Sequence, residues 1–218
     1  MLLDRRKVKL WQKIVFGFMA FLMAAFLVVG YSGVIRGCDF GGAGASATQE
    51  VDADVKAQEA AVAATPDDAA AWAKLGELYT ERGNMREQGS EAQVSDWDEA
   101  VAAYRRADRI LAKEKGKEAR RTRLEVLKSL VDVQLFLQDY PGATETYGVI
   151  TELRPKDAQA YFEMASVAIS AGDSNTALLA FSRFLELDPE SPDAPAVREW
   201  IEQNTPGSTP KPSGSPAE

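Results

Sequence analysis

Two stretches of the chain carry the same pattern of hydrophobic and polar positions at a spacing of 34 residues. In each stretch an Asp is followed by a small Ala, an aromatic residue one turn later, further apolar positions and a Pro. The matched residues are Asp139 and Asp173, Ala143 and Ala177, Tyr147 and Phe181, Ile150 and Phe184, Glu152 and Glu186, Leu153 and Leu187, and Pro155 and Pro189. A 34-residue period is the length of one helix–turn–helix unit in a stacked array. The pattern therefore predicts repeated helical hairpins.

An earlier stretch has the features of a third unit. Its first helix carries the run W-x2-L-G-x2-Y, and its second helix has Ala and Tyr at the positions of Ala143 and Tyr147. These residues are Trp72, Leu75, Gly76, Tyr79, Ala100 and Tyr104. Relative to a strict period, about 12 additional residues fall at 85–96, and about 9 more lie between Tyr104 and Tyr147. Segment 85–96 is polar and has no metal-ligand spacing, so it is predicted to be a solvated surface loop or, alternatively, a partner-specific finger.

These residues resemble the tetratricopeptide repeat (TPR) family, in the form found in membrane-anchored TPR proteins of the bacterial envelope. The resemblance covers about residues 50–203. It implies an all-α fold, a TPR-type α-solenoid of about three helix–turn–helix repeats. Ala lets the two helices of a unit approach closely, the aromatic residue fills the space between them, and Pro ends the unit because it cannot continue a helix. Three unrelated helical hairpins are the alternative.

Capping helices are expected at both ends of a repeat domain that spans residues 49–204. The Ala-rich segment 49–64 has acidic residues near its start, which suits a helix N-terminus. Segment 193–203 carries Val197, Trp200 and Ile201 as an apolar stripe. The first helix of the second unit is expected to begin near Lys117, although Gln134 stands at a position expected to be apolar. Residues 205–218 hold four prolines and no large apolar residue, which predicts a disordered tail.

An uncharged apolar run at residues 14–35 predicts a transmembrane helix. Its 22 residues span about 33 Å as a helix, enough for the hydrocarbon core of a bilayer. Five basic residues at 1–13 precede the run and only Arg36 follows it closely, so the positive-inside rule predicts a cytoplasmic N-terminus and an extracytoplasmic repeat domain in the cell envelope. A buried core helix and a signal peptide are the alternatives, but the run is longer than a signal-peptide core. Residues 36–48 are predicted to be a flexible linker.

The single cysteine, Cys38, follows the predicted span. Ile35 and Gly37 before it resemble a bacterial lipoprotein processing site, although Arg36 fits such a site poorly. The alternatives are an unmodified Cys at the membrane exit or a thiol that pairs with another chain.

Composition narrows the chemistry. With one Cys and no His, His-based triads and His or Cys metal sites are excluded. We therefore expect no catalytic site, metal site or cofactor, and hence not an enzyme. The net charge is −8, and residues after 38 carry 19 basic and 32 acidic residues, about −13. Such an acidic domain argues against nucleic acid as a partner, because phosphates require basic residues.

The resemblance also implies where a partner binds. In TPR proteins the inner face of the first helix of each unit lines a peptide-binding groove. Carried over by position, the candidates are Ala73, Glu77, Thr80 and Glu81, then Lys128, Asp132, Leu135 and Phe136, then Phe162, Ser166, Ile169 and Ser170. A carboxylate clamp of the chaperone type is not expected, because only Lys128 is basic at the matching positions. A protein segment with basic and apolar parts fits better, although Phe162 or Ile169 can equally fill the interior.

Ten of the 25 basic residues fall within 105–128, interleaved with acidic residues. Pairing at i,i+3 or i,i+4 favours a solvated helical face, and a patch that meets acidic lipid or an acidic partner is the alternative. Together the observations predict a membrane-anchored interaction scaffold or chaperone-like adaptor. An assembly subunit of an envelope enzyme system, such as cytochrome c maturation, is the alternative function.

Overall fold

The computed structural model describes residues 42–205, which form eight α-helices and no β-strand. The helices are α1 (Gly42–Ala64), α2 (Ala69–Met85), α3 (Glu91–Leu111), α4 (Lys117–Phe136), α5 (Tyr140–Leu153), α6 (Ala158–Ser170), α7 (Ser174–Leu187) and α8 (Ala194–Asn204). The predicted transmembrane segment 14–35 and almost all of the predicted tail lie outside the described residues. Within residues 42–205, none of the helices has the length and apolar character needed to cross a membrane.

Three helical hairpins follow one another along the chain. They are α2 with α3, α4 with α5, and α6 with α7, and from α2 to α8 each helix also packs against the next one. Helix α1 lies beside α2 through side chains, for example where Gln58 Nε2 donates to the Ala71 carbonyl oxygen at 2.8 Å. Contacts between sequence neighbours build the core of a solenoid. The predicted all-α array of about three hairpins with flanking helices is therefore confirmed.

Aspartate side chains cap the first turn of four of the described helices. Asp68, Asp139, Asp157 and Asp173 each accept hydrogen bonds from backbone N–H groups in the first turn of α2, α5, α6 and α7. Asp139 and Asp173, which are 34 residues apart, make equivalent caps at 3.0 Å. A side-chain oxygen at this position satisfies an N–H group that has no partner inside the helix. The sequence period thus fixes the starts of these helices.

Small residues lie where the helices of each hairpin cross. Ala100, Ala143 and Ala177 are completely buried at the three equivalent positions. The backbone of Gly76 is closer still to its partner helix, since a Cβ atom there would lie 2.8 Å from the Tyr104 ring. These crossings agree with the expectation that a small residue at this position lets the two helices of a hairpin approach closely.

Helix α1 begins earlier than the sequence predicted. We expected a flexible linker through residue 48 and a helix from 49, but residues 42–48 already belong to α1. Alanine has the highest helix propensity of the common residues. Alanines at positions 43, 45 and 47 favour a helix in this stretch and glycines at 42 and 44 disfavour it, so the sequence did not decide where the helix begins.

Segment 85–96 is helical over much of its length, so the prediction of a solvated loop is wrong. Helix α2 continues to Met85 and α3 begins at Glu91, which leaves only residues 86–90 as the turn. Ser90 caps α3, since its side chain accepts a hydrogen bond from the Gln93 backbone N–H at 3.2 Å. The additional residues therefore mostly lengthen α2 and α3.

A partly buried network of charged side chains lies in this lengthened hairpin. Asp96 is only 5% exposed and accepts hydrogen bonds from Arg82 Nε at 2.9 Å and Arg86 Nε at 3.0 Å. Asp52 of α1 lies 3.6 Å and 3.4 Å from the same two guanidinium groups. Buried charges are tolerated only when paired and hydrogen-bonded. These four residues therefore join α1, α2 and α3.

Gln134 is completely buried at the α4 position where an apolar residue was expected. Its Oε1 accepts a hydrogen bond from Thr146 Oγ1 at 2.8 Å. Its amide nitrogen has no partner among the described residues. A Cβ atom on Gly142 would lie 2.6 Å from that nitrogen, so the α5 backbone packs directly against the amide. A buried N–H group without a partner costs free energy.

Candidate partner-binding surface

The predicted groove residues lie on α2, α4 and α6, the first helices of the three hairpins. Among them Glu77, Glu81, Lys128 and Asp132 are exposed. Phe136 and Ile169 are 51% and 41% exposed, which is unusual for side chains of that size. Leu135, Phe162 and Ser166 are partly buried. We call the exposed side of these three helices the first-helix surface.

Tyr104 connects the first two hairpins beneath this surface. It belongs to α3, is buried, and has Thr80 of α2 and Ser129 of α4 as hydrogen-bonding neighbours. Burial raises the pKa of Tyr104, while the hydrogen bonds of Thr80 and Ser129 oppose that rise. The negative charges of Glu77 and Asp132 raise it further.

Tyr147 occupies the equivalent position in the second hairpin. Burial raises its pKa above the ordinary value, and the charge and hydrogen bond of Glu163 raise it further. Counting along the repeat, Glu163 stands where Ser129 stands one unit earlier, 34 residues before it. A tyrosine hydroxyl therefore meets the next first helix in both junctions, but in the second one its neighbour is charged.

A cleft of about 290 Å³ opens at this second junction, between α4, α5 and α6. Lys128, Asp132, Tyr147, Arg154 and Glu163 line it, together with Asp157, Gln159 and three apolar residues. Burial raises the pKa of Asp132, Lys128 lowers it, and the charge of Glu163 raises it. Three carboxylates against two basic residues leave the lining of the cleft net negative, which suits a cationic side chain, although Glu163 Oε1 already accepts a hydrogen bond from Gln159 Nε2 at 3.2 Å. The predicted residues Lys128 and Asp132 are thus brought together in one cleft.

The third hairpin does not continue this arrangement. Its equivalent aromatic residue, Phe181, has no hydroxyl, and its ring packs edge-on against Trp200 of α8 at 5.2 Å. Phe162 lies against Phe181 and Phe184, with ring centroids 5.7 Å and 5.2 Å away. Phe162 is therefore a packing residue between α6 and α7, the second of the two roles that the sequence allowed. Ser166 donates within its own helix, to the Phe162 carbonyl oxygen at 2.9 Å.

Phe136 has an aromatic neighbour that sequence reasoning missed. The ring of Trp97, in α3, lies 5.3 Å from that of Phe136. Trp97 belongs to the lengthened part of the first hairpin, and its Nε1 donates to Asn84 Oδ1 at 3.3 Å. An isolated Trp in a polar segment was the available signal. The pair places an apolar site at one end of the first-helix surface.

A second cavity, of about 470 Å³, lies between α1, α2 and α3. The signature residues Trp72, Leu75 and Tyr79 line it. The Tyr79 hydroxyl donates to Glu59 Oε1 at 2.6 Å, and burial followed by this hydrogen bond raises the pKa of Tyr79. The signature residues Leu75 and Tyr79 are buried in the core, and together with Trp72 they also line this cavity. No group of three or more potential metal ligands occurs within residues 42–205.

Comparison with known proteins gives little further information. No family model and no curated protein matches the sequence. One crystal structure of MamA is 14% identical, with the match covering 73% of this chain and 79% of that chain at a TM-score of 0.45. Another crystal structure of MamA is 14% identical, with 77% and 92% covered at a TM-score of 0.27. TM-scores below 0.5 carry no argument about function, which therefore has to come from the residues themselves.

Proposed function

We propose that this chain is a protein-interaction scaffold or chaperone-like adaptor that binds a segment of a protein partner along the first-helix surface. The cleft beside Asp132 and Glu163 is the observation that carries the proposal. The cleft is open to solvent and lies between successive hairpins. Among the described residues, neither Asp132 nor Glu163 has a basic side chain within 4.0 Å. Clefts with a few convergent polar groups are the usual form of binding sites.

The chemistry of the surface defines the kind of segment that fits. Glu81, Asp132 and Glu163 supply negative charge, so the segment carries Lys or Arg, while Glu77 already pairs with Lys74 at 3.1 Å. Phe136 and Ile169 are exposed apolar residues, which provide contacts for an apolar side chain. Exposed charges are screened by salt, so association weakens as ionic strength rises.

The first test places a photo-crosslinking amino acid in the full chain in cells. At position 132 we expect it to trap a protein partner, because this side chain lines the cleft. At Glu145, which is exposed on α5 and has no ion pair among the described residues, we expect no such product.

In a background of Asp132→Asn and Glu163→Gln, a crosslinker at Phe136 should no longer trap the partner. In the control background of Glu145→Gln and Glu190→Gln it should still trap it. Equal trapping at 132 and 145 would contradict the proposal. A haem-ligating apoprotein as the trapped partner would favour the assembly-subunit alternative.

Membrane anchorage is also proposed, on the apolar run 14–35 and the basic residues before it. In this arrangement the N-terminus is cytoplasmic and the repeat domain lies outside the cytoplasm.

Cysteine labelling of intact cells tests this topology. With Cys38 replaced by Ser and Ser208 by Cys, a membrane-impermeant maleimide should label the chain before the membrane is opened. A Cys introduced at Lys9 serves as the control and should react only after permeabilisation. The opposite pattern would mean that the orientation is wrong.

A further inference from the structure

The junction between α3 and α4 is longer than the repeat requires. Helix α4 begins ten residues before Leu127, whereas α6 begins three residues before the equivalent Tyr161. The seven additional residues add two helical turns to α4, or about 10 Å. Most of the insertion that the sequence places between Tyr104 and Tyr147 is therefore a helical extension. We call residues 109–121, which include it, the basic tip.

Cationic side chains dominate the basic tip. Five of them are exposed and have no carboxylate within 4.0 Å among the described residues. These are Arg109, Lys113, Lys115, Lys117 and Arg120. Arg121 pairs with Glu125 at 3.3 Å. The expectation that pairing along the helix neutralises this cluster is therefore met for only part of it.

Helix stability accounts for only part of these charges. Arg109 is in the last turn of α3, where the helix dipole favours cations. Lys117 and Arg120 are in the first turn of α4, where unpaired backbone N–H groups already produce a positive potential. The N-cap residue is Gly116, which has no side chain to accept those N–H groups, and Glu118 is the acidic residue of that turn. The two cations at the start of α4 and the exposed lysines before it therefore form a positive surface that suits an anionic partner.

The basic tip lies far from the point where the chain enters the repeat domain. Asp52, near the start of that domain, contacts Arg82 and Arg86 at the end of α2. Arg106, shortly before the tip, contacts Asp67 at 3.4 Å, just before α2 begins. The tip and residue 52 are therefore at opposite ends of α2.

We infer that the basic tip binds an acidic segment of a protein partner, at a surface separate from the cleft beside Asp132. Exposed lysines act as point charges that suit several carboxylates in a row, and they do not form the fixed forks that arginines offer to single phosphates. The choice of a protein segment over lipid headgroups rests on charge complementarity with a row of exposed lysines and on the proposed function, in which the partner is a protein.

The test uses the full chain in neutral detergent and poly-L-glutamate as the probe. The variant Lys113→Glu with Lys117→Glu should bind the probe about tenfold more weakly at low salt. Glu at position 117 also suits the start of a helix, so folding is not compromised. The matched variant Lys56→Glu with Lys156→Glu makes the same change in net charge at exposed positions elsewhere, and it should bind as the unchanged chain does.

Amine footprinting gives an independent measurement in the same samples. Poly-L-glutamate should protect Lys113, Lys115 and Lys117 from acylation and leave Lys56 reactive. Equal affinity of the two variants would overturn the inference, and so would protection of the tip lysines by phosphatidylglycerol added to the detergent micelles but not by poly-L-glutamate. Asp132→Asn with Glu163→Gln should leave probe binding unchanged, so failure at the tip and failure at the cleft are distinguishable.

Discussion

Replacing Asp96 with Ala is expected to lower the free energy of unfolding by about 2–4 kcal/mol. The substitution removes the shorter of the carboxylate contacts of Arg82 and Arg86, and both arginines stay partly buried. Removing one partner of a buried ion pair costs more free energy than the intact pair contributes, because the remaining charge is buried without compensation. The partial exposure of both arginines places the estimate at the lower end for buried pairs. For a domain of this size, thermal unfolding should occur about 5–15 °C lower. Calorimetry of the fragment 42–205 measures the change.

Asp98→Ala is the matched control. Asp98 is on the same helix two residues further on, is exposed, and has no ion pair among the described residues. It should change the melting temperature by no more than about 2 °C. If both variants melted at the same temperature, residues 85–96 would behave as the solvated loop that their polar composition suggests.

Replacing Gln134 with Met is expected to stabilise the domain by about 1 kcal/mol. Met has a similar length and carries no N–H group, so the cost of the unpartnered buried amide is removed. The Thr146 hydroxyl keeps a partner, because its single hydrogen can be donated instead to the Gly142 carbonyl oxygen at 3.0 Å. Chemical denaturation of the 42–205 fragment measures the change, with Gln88→Met in the exposed turn as the control.

A double-mutant cycle with Thr146 measures what the buried Gln134 side chain contributes through its hydrogen bond. Thr146→Val alone should destabilise the domain, since it removes the one hydrogen bond that the Gln134 side chain makes in the described structure. In the Gln134→Met background the same change should cost at least about 1 kcal/mol less. Additive effects would mean that the hydrogen bond between Thr146 and Gln134 does not contribute to stability.

The hairpins could be predicted because their signals are local. Asp139 and Asp173 cap helices by contacting residues three positions away, and Ala143 and Ala177 are small wherever the helices cross. Each of these residues has its role within one 34-residue unit. A repeated spacing therefore shows both the elements and their packing.

The burial of Asp96 could not be predicted in the same way. Its partners are 10 and 14 residues away, and Asp52 is on another helix. A polar residue is assigned to the surface unless its partner is recognised, and hydrophobic periodicity does not show that partner. A local signal did exist, because Ser90 followed by Gln93 has the spacing of a capping box and indicates a helix start.

The candidate site shows the same division. Lys128 and Asp132 line one cleft, while their role in binding a partner stays a prediction. Phe162 has an equivalent position, but packs inside because Phe181 and Phe184 form an aromatic cluster specific to the last hairpin. Repeat position places a residue on a helix face, while the neighbouring hairpin determines whether that face is open.

The two insertions lengthen the helices at opposite ends of α3. One adds residues around the turn before α3, and the other adds two turns at the start of α4, while Ala100 and Tyr104 stay in register with their counterparts in later hairpins. Lengthening a helix along its axis therefore does not change the distance between neighbouring hairpins. Such a domain can gain new binding contacts at the ends of its helices. The order of the hairpins and the size of the cleft between them stay the same.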